Sequence, residues 1–96
     1  MARILTLSEG RRLRAAAHHL KPVVQVGKEG VTAAVAAEVE RALEAHELIK
    51  VRLAAERQER DSEARRLADG ARASLVGMIG AVAILHRPRS DEEGGR

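Results

Sequence analysis

The sequence predicts an α/β fold: a compact two-layer or three-layer sandwich in the order αβαβαββ, built on a four-stranded mixed sheet. Three observations predict it. Amphipathic stretches of helical period alternate with short β-branched runs, first at 23–26 and again at 48–53. Strand, helix and strand in succession require a crossover connection, and hence parallel pairing somewhere in the sheet. The chain then closes on two apolar runs, 75–79 and 82–86, around Gly80-Ala81, which reads as a two-residue hairpin with glycine leading.

Each element has its own signal. Thr6-Leu7-Ser8-Glu9 fits a capping box, so a helix starts after Thr6, with Leu13, Ala16, Ala17 and Leu20 as its buried stripe. Gly10 weakens that helix, and Pro22 is expected to stop it by forcing the preceding residue out of the α region. Val23 to Val26 suits an interior strand. A second helix from about Ala33 to His46 buries Val35, Val39, Ala42 and Leu43 and turns Glu38, Glu40, Arg41 and Glu44 outward. In the next strand Ile49, Val51 and Leu53 face the core, whereas Leu48, Lys50 and Arg52 face a basic, partly solvated side. Residues 56–72 read as a mostly exposed third helix on a thin stripe of Ala64, Leu67, Ala68 and Ala71. Residues 1–88 are expected to form one domain and 89–96 a disordered tail, with Arg87 and Pro88 leading into it.

Composition narrows the functional classes. The core has no Phe, Tyr or Trp and must be assembled from ten Leu, nine Val, four Ile, two Met and eighteen Ala. No apolar run approaches the ~20 residues of a membrane span, and the start of the chain has no long apolar signal region. The absence of cysteine excludes disulfides and thiolate metal sites and fits a cytoplasmic protein. The charge of +3 is unevenly spread. Residues 1–30 carry six basic and two acidic side chains, and residues 31–70 carry seven and nine, which points to a polyanion near the first third of the chain.

The chain offers little that could support catalysis. No nucleophile elbow, phosphate-binding Walker loop, paired carboxylates or zinc-spaced histidine pair occurs, so neither a catalytic residue, a cofactor nor a metal is expected. His18 and His19 read as a helix-end pair. The most informative stretch is Val26-Gly27-Lys28-Glu29-Gly30, in which a strand breaks into a glycine-bracketed loop and opens a helix behind Thr32 as N-cap. Glycines permit positive φ and close backbone approach, and a helix N-terminus attracts phosphate. A plain strand-to-helix turn uses glycine too. Without aromatics, base stacking cannot be the main device for binding RNA, which leaves backbone recognition of the kind used by GxxG loops.

The run from Ala17 to Gly30, AHHLKPVVQVGKEG, together with His46-Glu47-Leu48-Ile49-Lys50-Val51, closely resembles the CRM domain family (chloroplast RNA splicing and ribosome maturation). The similarity spans roughly residues 5 to 88 and is strongest to the stand-alone bacterial YhbY-like form. It implies a sandwich similar to the C-terminal domain of bacterial translation initiation factor three. It implies a non-enzymatic RNA-binding protein that serves assembly of the large (50S) ribosomal subunit, with rRNA in pre-50S particles as partner. By resemblance Gly27, Lys28, Glu29 and Gly30 form the RNA-contacting loop, with Arg11, Arg14, His18 and Lys21 as basic neighbours. Lys50 and Arg52 join them from the basic side of the second strand. Gly10 and Glu29 depart from the family pattern, as do Ala81 and His86. No membrane, small-molecule substrate or cofactor is expected, and a monomer is the default. The alternative is a protein-interaction module with no direct RNA contact.

Overall fold

The computed structural model describes residues 5–88 of the chain; the expected tail at 89–96 lies outside the described residues. Seven elements follow in the order helix α1 (Leu7–Ala17), strand β1 (Pro22–Val26), helix α2 (Ala33–His46), strand β2 (Leu48–Leu53), helix α3 (Arg57–Gly70), and strands β3 (Ser74–Ile79) and β4 (Val82–His86). The sheet order is β1-β2-β4-β3. β1 and β2 pair parallel across α2, whereas β4 is antiparallel to both β2 and β3. It follows that β1, β2 and β3 all point the same way. The loop after β1, the loop after β2 and the β3–β4 hairpin therefore meet at one end of the sheet.

The fold has three layers because both faces of the sheet are apolar. On one face Val24, Val26, Ile49, Val51, Leu53, Ala83 and Leu85 pack against Val39 and Leu43 of α2 and Ala64, Leu67 and Ala68 of α3. On the other, Val76 and Ile84 receive Ala17, with Leu13 and Leu48 beside them, so α1 covers this face alone. Burial of this aliphatic area, at about 25 cal/mol per Å², is the main driving force in a chain without aromatics.

Several expectations change in the structure. α1 stops at Ala17, not at Pro22: the His18 N–H donates to Ala15 O (3.2 Å) and the Leu20 N–H to Ala17 O (3.0 Å), tightening the last turn before Pro22 starts β1. β1 is an edge strand, not an interior one, and its register shifts between Pro22 and Val24. The glycine in α1 makes room rather than merely weakening the helix. A Cβ on Gly10 would lie 3.3 Å from Arg14 Nη1, and one on Gly77 would lie 3.2 Å from Arg14 Cδ. Arg14 thereby reaches the bulged edge strand β3 and donates to Val76 O at 3.3 Å. This occupies a carbonyl on that edge.

Arg87 is fastened in place. Its N–H donates to Glu47 O (2.9 Å), and its guanidinium donates to Glu40 Oε1 (2.9 Å), Glu44 Oε2 (3.0 Å) and Ala71 O (2.8 Å). One side chain thus ties the end of β4 to α2 and to the end of α3. The acidic outer face of α2 is partly an internal ion-pair partner.

Candidate functional site

The loop Gly27–Gly30 is a tight turn closed by the Gly30 N–H donating to Gly27 O at 3.0 Å. Only one of its glycines has unusual backbone geometry: Gly30 sits at φ +84°, whereas Gly27 lies outside the positive-φ region. Around Gly27 a Cβ would meet nothing within 4 Å. Lys28 and Glu29 are exposed at the tip, and the turn uses neither of their N–H groups. Close behind, Thr32 Oγ1 accepts from the Val35 N–H at 3.2 Å and caps α2. The first N–H groups of this 14-residue helix have no intrahelical partner, and no acidic residue occupies its first turn. Amides, one lysine and the positive end of a helix dipole therefore share one exposed corner.

Gly30 also rests on a buried acid. Glu63 of α3 is only 6% exposed, and its Oε2 lies 3.4 Å from where a Gly30 Cβ would be. Its Oε1 has no hydrogen-bond partner among the described residues. The sequence reading places residues 56–72 mostly in solvent, and nothing in the local pattern marks Glu63 as different from Glu59. Its burial arises from tertiary packing of α3 beneath the loop.

Neighbouring backbones fix this end of the sheet. The Ala54 N–H donates to Val26 O (2.9 Å) and the Leu53 N–H to Ala81 O (2.7 Å), tying the second loop to β1 and to the hairpin. Gly80 leads that hairpin at φ +57°, the conformation its two-residue turn needs. α3 starts here, with Arg57 exposed and Arg60 Nε donating to Ala55 O at 3.1 Å. Sequence reading missed Arg57 as a cation at the loop end. The charge was visible, but the meeting of the β2–α3 connection with the Gly27–Gly30 corner was not.

The other expected basic residues divide into groups. Arg52 is exposed beside Gln25, its partner in the β1–β2 register, one step before the loop end of the sheet. Arg11 is exposed on α1, and Arg14 is exposed in part but engaged on β3. His18 and Lys21 are exposed at the opposite end of β1, with the His18 ring edge-on to His19 at 5.2 Å. Lys50 corrects the expectation of a solvent-facing basic side. It is 9% exposed, and its ammonium donates to Leu20 O at 3.0 Å, because α1 and its C-terminal turn cover that stretch of β2. Lys50 secures the α1–β1 connection from below.

Among the described residues no group of three or more His, Asp or Glu side chains could hold a metal ion, and no helix is long and apolar enough to cross a membrane. The arrangement gathers loop amides, Lys28 and a helix N-terminus in one place, with Glu29 exposed beside them. It is suited to holding an anion.

Comparison with known proteins places the chain in a family. The CRS1/YhbY (CRM) domain matches residues 5–87. A protein of Pseudomonas aeruginosa, named as a probable RNA-binding protein, is 45% identical over 84 residues, covering 86% of this chain and 81% of its own. An RNA-binding protein of Haemophilus influenzae is 39% identical over 88 residues, covering 91% and 89%. The solution structure of a Staphylococcus aureus protein, described there as hypothetical and a candidate for RNA binding, superposes with a TM-score of 0.80 at 31% identity, covering 88% of this chain and 90% of that one. With nearly every described residue inside the matched span, the chain belongs to the CRS1/YhbY (CRM) domain family.

Proposed function

We propose that this chain is a non-enzymatic, monomeric, cytoplasmic RNA-binding protein that assists assembly of the large (50S) ribosomal subunit. It grips structured rRNA in 50S precursors through the Gly27–Gly30 loop and the neighbouring basic side chains. The observation that carries this reading is the corner at the end of β1. There, exposed Lys28, the unused loop amides and the N-terminus of α2 converge without an acidic residue in the helix's first turn. The names of the relatives support RNA as the partner, and the family resemblance is the ground for rRNA.

The mechanism is electrostatic and geometric. Phosphate oxygens accept from loop N–H groups while Lys28 supplies charge, and Arg52, Arg57 and Arg11 set the register of the RNA on the domain. Glu29 opposes the phosphate, so the attraction comes from amides and Lys28 rather than from the whole loop.

Sedimentation of tagged protein from cell extract tests the biological half of the proposal. Ribonuclease-sensitive migration with large-subunit particles, lost in Lys28→Glu, is the expected result. Ribonuclease-insensitive association with another protein would contradict it and favour a protein-interaction module.

A further inference from the structure

Two grooves join along the outer edge of the sheet. One, of about 370 Å³, follows β1 between Lys21, Gln25 and Arg52. The other, of about 430 Å³, lies between the C-terminal ends of α1 and α2 and is walled by Leu20, Val23, His46 and Leu48. Lys21 and Val23 belong to both, and no acidic side chain lines either. The two grooves therefore make one track along β1, from Gln25 and Arg52, two residues short of Gly27, to the far end of the strand.

The far end of the track is apolar. Leu20 is 37% and Val23 55% exposed, side by side at the start of β1. Alternation along β1 turns Val23 to the face opposite Val24 and Val26, which point into the core. Val23 thus presents an aliphatic side chain to solvent beside Lys21 and His46. From Lys21 to Gly27 the strand covers about 20 Å at ~3.3 Å per residue. That length suits a strand of about 4 or more nucleotides, the lower range of single-strand grooves that combine a charged track with a seat for bases.

From this track we infer that an unpaired stretch of RNA lies along β1, its phosphates following Lys28, Arg52 and Lys21, with one unstacked base seated on Leu20 and Val23 beside His46. The aliphatic seat takes the place of the aromatic platform that the chain cannot build. The inference rests on the RNA-binding reading above and adds a class of RNA to it: a structured element with a single-stranded flank. Nucleic acid is favoured as the occupant because the track is basic and neutral throughout and ends two residues short of the loop corner.

The test measures affinity for an RNA hairpin carrying an unpaired extension of about six nucleotides and for the same hairpin blunt-ended. Val23→Ser and Leu20→Ser are expected to weaken binding of the extended hairpin about threefold or more, and Val23→Tyr, which offers a stacking face, to tighten it by a similar factor. The blunt hairpin should be bound unchanged by all three variants. Lys28→Glu should weaken both RNAs. Because Val23 is more than half exposed, thermal unfolding of its variants should match the parent, which separates contact from folding. If the Val23 variants leave the extended hairpin unaffected, or alter both RNAs equally, the base seat is overturned, and the groove is left for a protein. If Lys28→Glu is silent as well, the RNA-binding reading fails with it.

Discussion

Replacing each glycine of the loop by alanine separates backbone geometry from ligand approach. Gly30 sits at φ +84°, where an L-residue is strained by about 1–2 kcal/mol. The new Cβ would stand 3.4 Å from Glu63 Oε2, an ordinary contact, so the backbone term dominates. Loss of glycine's freedom in the unfolded chain offsets about 0.4–1 kcal/mol. Gly30→Ala is therefore expected to destabilise the domain by about 1 kcal/mol, or roughly 4–8 °C in Tm for a domain of this size. Gly27 has neither positive φ nor a neighbour within 4 Å of a Cβ. Gly27→Ala should leave stability unchanged or raise it by up to about 1 kcal/mol, yet weaken RNA binding, because its methyl group stands where a phosphate must approach. Thermal unfolding followed by circular dichroism, paired with filter binding to a structured rRNA fragment, reads both. A Gly27→Ala protein that melts as early as Gly30→Ala, or binds RNA like the parent, would refute the reasoning.

Three further outcomes follow from particular contacts. Arg87→Ala removes the guanidinium that joins Glu40, Glu44 and Ala71 O, and because both carboxylates remain solvated the expected loss is about 1–3 kcal/mol, measured by urea unfolding. A change below about 0.5 kcal/mol would show that the clasp is ornamental. Glu63→Met replaces a buried acid whose Oε1 has no partner with an apolar side chain of similar length, and should raise stability by about 1–3 kcal/mol in the same assay; a loss would mean that the carboxylate is needed beneath Gly30. Glu29→Asn removes a negative charge from the loop tip and should tighten RNA binding, and equal or weaker affinity would displace the phosphate from that tip.

The fold was legible wherever a local signal decided the element. The Thr6–Glu9 capping box, the Thr32 cap, the span Ala33–His46 and the Gly80-Ala81 hairpin all lie where propensity and capping chemistry place them. What could not be read depended on which elements become neighbours. β1 has an interior strand's composition but an edge strand's position, and Val23, which alternation turns away from Val24 and Val26, is left uncovered there. Lys50 alternates correctly along β2, yet α1 folds over that face and converts an expected surface cation into a buried one. Gly10, read locally as a helix weakness, has its explanation 62 residues beyond Arg14, at the Val76 carbonyl to which Arg14 donates. The loop was legible for the same reason as the caps. Its glycines, lysine and N-cap are contiguous in sequence, whereas Glu63 reaches it only through the packing of α3.

The salt dependence of RNA affinity in the parent and in Lys28→Ala tests the central claim most directly. Each phosphate neutralised by a cation releases counterion, so log K falls with log salt by about 0.7–0.9 per contact. A steep slope in the parent, made shallower by about that amount when Lys28 is removed, is the expected result. Parallel slopes for the two proteins, with equal affinity, would contradict a loop that holds RNA by its backbone.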